Sequence, residues 1–143
     1  MNNAAIHAAL DAVSDSFIGM ATPFGDLLVY PENINADPLD ASRAYVQLYF
    51  MPAPTQFVGL QGGKGQIFTG VYQITLITPP GTGTQAAEVI ADSICGHFNN
   101  PTLRVQAGTA AVTFPAPAYR TAGMHDEARS QTPITVMYSC CAG

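Results

Sequence analysis

The sequence predicts an α+β fold: a small mixed or antiparallel sheet of about four to five strands, two helices packed on one face, and long Pro/Gly-rich loops. Three observations predict it. Two segments carry apolar residues at helical spacing. Several shorter segments alternate with a period of two. Between them lie stretches dense in Pro, Gly, Asn and Asp, which punctuate regular structure. At 143 residues the chain has the size of one domain with room for a core, so residues 1–143 are read as a single domain.

The first 17 residues read as a helix, with Ile6, Leu10, Val13 and Phe17 on one stripe and Gly19 as a stop. Residues 21–42 form a long connection that holds a short extended piece, "DLLVY". "RAYVQLYFM" (43–51) reads as a strand. Ala44, Val46, Leu48 and Phe50 lie on one face, and Tyr45, Gln47, Tyr49 and Met51 on the other. Both faces are partly apolar, which suits a strand covered on both sides. "PAPTQFVGLQGGKG" (52–65) reads as a loop, because its prolines and glycines oppose regular core structure. Its apolar residues Phe57, Val58 and Leu60, together with Lys64, are candidates for contact with a partner; the alternative is that they fold back on their own sheet.

"QIFTGVYQITLIT" (66–78) is the longest strand-like run, and Gly70 inside it suggests a bulge or a close backbone approach. A second helix spans Thr84 to Phe98. Ala86, Ile90, Ile94 and Phe98 recur at steps of four, with Val89 beside them, and Asn99, Asn100 and Pro101 end it. "LRVQ" and "AAVTF" form a hairpin around Ala107, Gly108 and Thr109. "PAPAYRTAGMHDEARSQT" (115–132) reads as a second long loop, and "PITVMY" (133–138) as the last strand. No repeat and no low-complexity segment stands out.

Composition narrows the function. Only 10% of residues are charged and 48% are hydrophobic, against about 25% charged in typical soluble domains. A surface poor in Lys and Glu suits a subunit that hides much of itself against partners. The net charge is −5, with Lys64 as the one lysine, so no basic cluster exists to displace counterions from nucleic acid. Cys95, Cys140 and Cys141 show neither C-x-x-C spacing nor a histidine partner set, which reads as free thiols in an intracellular protein. The N-terminus lacks the basic start of a signal peptide, and no apolar run reaches the length of a membrane span.

Motifs for chemistry fall away one by one. "TPPGTGTQ" (78–85) joins a strand to a helix, as phosphate-binding loops do. Aligned on Gly83, however, Thr78 stands where the first glycine belongs, Thr84 where the lysine belongs and Gln85 where the hydroxyl belongs. Without the lysine nothing neutralises a phosphate. The same residues make a strand stop at Pro79 and Pro80, a permissive turn at Gly81 and Gly83, and a helix cap at Thr84 or Thr82. His125, Asp126 and Glu127 are adjacent, so their side chains diverge and suit solvent better than a metal. His7 and His97 lack an H-E-x-x-H partner, and no G-x-S-x-G occurs. Cys95 reads as a core residue. No catalytic residue, cofactor site or metal site is expected.

The ordered set "AALDAV", "YPENI", "AYVQLYFMPAPTQFVGLQGGKG", "FTGVYQITLITP", the G-x-G turn, "AAEVIADSICGHF" and "PITVMY" resembles the tail terminator (tail-completion, head–tail joining) proteins of long-tailed bacteriophages. The resemblance is close over Tyr30 to Phe98, looser in the first helix and last strand, and weak from Pro115 to Thr132. Where many relatives carry an aromatic before the last strand, this chain reads "SQTP". The resemblance implies a structural virion protein without enzymatic activity. It implies a hexameric ring of identical subunits that caps the tail tube, stops its growth and offers a joining surface to the head. Implied partners are further copies of the chain, the major tail tube protein and the head connector or stopper. DNA would pass through the lumen without specific binding, no membrane is involved, and assembly occurs in the host bacterial cytoplasm. Two neighbouring readings are another neck ring protein and a minor tail protein. Readings of other classes are a nucleotide-binding enzyme using the Gly81–Gly83 turn and a small ligand-binding module.

Overall fold

A computed structural model describes residues 3–14, 21–22, 25–26, 28–30, 44–58, 65–79, 85–99, 104–107, 110–121, 124–125 and 130–142. Helix α1 spans Asn3–Ser14. Strands β1 (Ala21–Thr22) and β2 (Gly25–Asp26) pair with each other, and β3 (Leu28–Tyr30), β4 (Tyr45–Pro52), β5 (Gln56–Val58) and β6 (Gly65–Thr78) follow. Helix α2 is Gln85–Phe98. The remainder is β7 (Val105–Ala107), β8 (Ala110–Thr113), β9 (Tyr119–Arg120), β10 (Met124–His125) and β11 (Ser130–Ala142).

The main sheet runs β3-β4-β6-β11-β8-β7, with β5 on β6 and with β9 and β10 on β11. Among the described strands only the β3–β4 pair is parallel. The α+β class and the two helices agree with the sequence. The sheet is larger than the expected four to five strands, because both segments read as loops contribute strand. Its centre is the β6–β11 pair, in register without a break from Thr78↔Ser130 to Gln66↔Ala142.

Alternation along these strands divides the sheet into two faces. Val46 and Leu48 of β4, Tyr72, Ile74 and Leu76 of β6, and Ile134, Val136 and Tyr138 of β11 all point to one buried face. They share a core with Ile6 and Leu10 of α1 and with Ile90, Ile94 and Phe98 of α2. The α1 stripe therefore forms as its spacing predicts, up to Val13; Phe17 and Gly19 lie outside the described residues. On α2 the buried stripe is Ala87, Ile90, Ala91, Ile94, Cys95 and Phe98. Val89 is 61% exposed, since its position points away from that stripe.

Aromatic and polar contacts fix the helices to the sheet. Tyr72 donates its hydroxyl hydrogen bond to Asp11 Oδ1 at 2.6 Å, and the Ser14 hydroxyl lies 3.1 Å from the Tyr72 oxygen. His7 stacks on Phe50 at 4.6 Å, and Phe50 stacks on Tyr138 at 5.4 Å. At the other end, Phe98 meets Phe114 edge to face at 5.3 Å, and the Ala118 amide donates to Asn99 Oδ1 at 2.7 Å. Arg120 reaches Asp92 at 3.0 Å and Glu88 at 3.8 Å across the exposed side of α2.

The proline-rich segments become strands with interruptions. β4 pairs with β6 up to Pro52↔Gly70, and β5 resumes at Gln56↔Ile67. Residues 53–55 thus face 68–69, one residue more on the β4–β5 side, which is a bulge. The Ala53 amide still donates to the Thr69 carbonyl at 2.9 Å. On the far side of β11 the same thing happens: residues 114–118 face 136–138 between β8 and β9. Each break contains the triplet Pro-Ala-Pro, at 52–54 and at 115–117. Proline cannot donate to a ladder, so it is tolerated where the ladder is already broken. Pro133 lies inside β11 for the same reason. Its carbonyl accepts from the Thr121 amide at 3.0 Å, so its nitrogen also points away from β6, toward the gap between β9 and β10.

The bulge explains Gly70. A Cβ there would lie 2.6 Å from both the Met51 carbonyl oxygen and the Tyr138 hydroxyl, and 2.9 Å from the Pro52 Cα. Two of those three atoms are backbone and cannot swing aside. Gly70→Ala is therefore expected to destabilise the fold by about 1–3 kcal/mol, measured by urea unfolding, and Tyr138→Phe in the same chain should recover only part of it. Tyr138 itself is 1% exposed, its hydroxyl has no hydrogen-bond partner, and burial pushes its pKa up to about 12. Because the folded value lies above the ordinary value near ~10, the contribution of the neutral phenol is complete below pH ~10 and is lost as pH rises toward 12. An ultraviolet titration of the wild-type protein should show late tyrosine ionisation that accompanies unfolding, and Tyr138→Phe should lower its amplitude.

Candidate functional site: an uncharged sheet face

The face of the sheet opposite the helices is built from rows of side chains that cross several strands. One row is Tyr45, Ile77 and Gln131, and the next is Gln47, Thr75 and Pro133. A third is Tyr49, Gln73, Thr135 and Tyr119, and a fourth is Met51, Val71 and Met137. Not one of these side chains is charged. The described charged side chains lie elsewhere: Asp11 on α1, Glu88 and Asp92 on α2, Arg120 on the helix side, and Arg104 just before β7.

Exposure follows the same division. Among the described residues, five large hydrophobic side chains are exposed. Tyr49 (37%), Met51 (44%), Tyr119 (51%) and Met137 (43%) all stand on this face, and Val89 is the exception. Two shallow depressions mark it. One, of about 460 Å³, runs along β4 and β6 from Tyr45 and Gln131 to Tyr49 and Met51. The other, of about 370 Å³, lies between the two Pro-Ala-Pro breaks, beside Val71 and Met137. Its floor is the narrow place where Gly70 passes Tyr138, so the device that kinks the flanking strands also shapes this hollow.

Such a face suits docking and gives little for chemistry. Among the described residues no three His, Cys, Asp or Glu side chains gather in the manner of a metal site. The three cysteines are free. Burial, then the nearby Asp92 carboxylate, push the Cys95 thiol up, and burial and Cys141 do the same for Cys140, so neither is an activated nucleophile. Thr78, the residue at the first position of the phosphate-loop pattern, is the last residue of β6, buried and paired with Ser130. Residues 80–84, with Gly81 and Gly83, lie outside the described residues, as do Asp126 and Glu127. No described helix is long and apolar enough to cross a membrane.

Two of the expected contact residues lie among the described ones. Phe57 and Val58 belong to β5, paired with Gln66 and Gly65, so their segment is strand where a loop was expected. Leu60 and Lys64 lie outside the described residues. The sequence did separate Tyr45, Gln47, Tyr49 and Met51 from the core face of β4. The continuation of that face over β6, β11 and β9 needed strand order and register, neither of which the sequence supplies.

Comparison with known proteins bears on this geometry. A family model described as phage tail terminator protein matches residues 4–138. One solved structure is 27% identical, with TM-score 0.77, the match covering 98% of this chain and 96% of that one; it carries no functional description. No curated protein matches. The family match takes in both helices, both Pro-Ala-Pro breaks and the central β6–β11 pair, and the chain belongs to the phage tail terminator family.

Proposed function

We propose that this phage-tail structural protein forms a ring of identical subunits, six in number, that seats on the end of the completed tail tube. The ring stops tube growth and presents a joining surface to the head connector or stopper, and DNA leaves through its lumen. The observation that carries this reading is the match of residues 4–138 to the tail terminator family. The uncharged sheet face adds support, since a protein that works by assembly needs surface for it.

Charge fits the same role. At −5 per chain, six subunits sum to on the order of −30, and the part of that field facing the lumen would keep DNA from adhering. The family is structural, and the chain works by contact. It carries no phosphate-neutralising lysine at the Gly81–Gly83 turn.

Native mass spectrometry and electron microscopy with purified tail tubes test the proposal. The expected result is a ring near 90 kDa, built from 15.0 kDa chains, bound to one end of each tube and blocking its extension. A monomer that leaves tube ends bare would overturn it. Millimolar ATP with magnesium should leave the melting temperature unchanged, whereas a rise of several degrees would favour the nucleotide-binding reading.

A further inference from the structure

The breaks in the two flanking strands lie on opposite sides of the central pair and nearly meet. Between β4 and β5, residues 53–55 face 68–69 of β6. Between β8 and β9, residues 114–118 face 136–138 of β11, which pair with 70–72 of β6. Among the described strands, an oblique line through both breaks crosses only β6 and β11, near Gly70 and Tyr138. We infer that the sheet is hinged along this line, so that its two halves turn relative to each other within one chain.

Each half is a ladder in its own right. The first holds β3, β4, β9 and β10 against residues 71–78 of β6 and 130–137 of β11. The second holds β5, β8 and β7 against residues 65–69 and 139–142. Bending a sheet distorts every ladder that crosses the bend, and here the outer ladders have already ended. The Ala53 amide bond to the Thr69 carbonyl, at 2.9 Å, lies at the line itself. A two-stranded ribbon twists more than a wide sheet, and a bulge bends the strand that holds it. Gly70 stands where β6 crosses, and hinges are a few such positions that absorb the backbone change.

The helices are fastened to the first half. Tyr72 bonds to Asp11 and Ser14 of α1, Phe50 stacks on His7, and Arg120 reaches Asp92 and Glu88 of α2. The second half meets α1 through β7, where Val105 and Ala107 share the apolar core with Ile6 and Leu10. Apolar contact is non-directional, so it tolerates small sliding that a hydrogen bond does not. The hollow of about 370 Å³ straddles the line, with Val71 and Met137 on one side and Thr69 and Ser139 on the other. Turning the halves changes its width. A contact made on one half thereby resets the surface offered by the other. The hinge belongs to the single chain and does not depend on the ring.

Spin-label distances test it. Cys141, exposed in the second half, is paired with a label at Tyr119→Cys, exposed in the first. The reference pair is Tyr49→Cys with Val89→Cys in a Cys141→Ser chain, which joins the first half to the helix fastened on it. Labelled chain is diluted into unlabelled protein, so that each assembly carries one pair. The expected distance distribution across the line is about twice as wide as the reference, or split in two, because a hinge populates separate settings. A distribution no wider than the reference overturns the inference. Circular dichroism checks that the labelled chains fold. If they do not, amide relaxation dispersion on the wild type decides. Microsecond-to-millisecond exchange centred on residues 53–55, 69–70 and 114–118 is then expected, and flat profiles there overturn the inference.

Discussion

The unbroken register between β6 and β11 is the constraint on which the rest depends. The pairing holds from Thr78↔Ser130 to Gln66↔Ala142 without a slipped residue. Side chains alternate along a strand with a period of two, so this register decides at once which residues face the helices and which face away. Shifting β11 by one position would drive Gln131, Thr135 and Met137 into the core and turn Ile134, Val136 and Tyr138 out to solvent. The apolar demand of one face and the uncharged character of the other are two consequences of one ladder. The flanking strands are free to break because this pair does not.

Those breaks show how irregularity is concentrated. Both Pro-Ala-Pro triplets fall level with the Gly70–Tyr138 pair, one on each side of the central strands. Proline has no amide hydrogen, and a bulge already leaves ladder positions unfilled, so the two defects share one site. Gly70 supplies the missing volume there. The Tyr138 ring runs over it and joins the stack through Phe50 to His7 on α1. A glycine, a tyrosine and two proline triplets thus link the shape of the open face to the anchoring of the first helix.

Much of this was legible in the sequence, and the misses have physical causes. Helical spacing located Ile6 and Leu10 on α1 and Ile90, Ile94 and Phe98 on α2. Strand periodicity separated the two faces of β4, and Gly70 was marked as a close approach. The proline segments read as loops because proline opposes a continuous ladder, whereas these strands pair on either side of a break. The repeated triplet itself, at 52–54 and 115–117, was the available signal. A step of four follows only one edge of a helical face, so it sets Val89 beside the α2 stripe, whereas Ala87, Ala91 and Cys95 complete that stripe and Val89 is exposed. The candidate site was only partly visible. Tyr49 and Met51 show their alternation within one strand, but Tyr119 and Met137 join them only through pairings far apart in the chain.

The ring proposed for this chain at the end of the tail tube is open to direct observation. An electron cryomicroscopy reconstruction of tail tubes incubated with the purified protein makes that observation. The expected result is a closed ring of six copies seated on one end of each tube. Tube ends that stay bare, with the protein monomeric in the same sample, would contradict it.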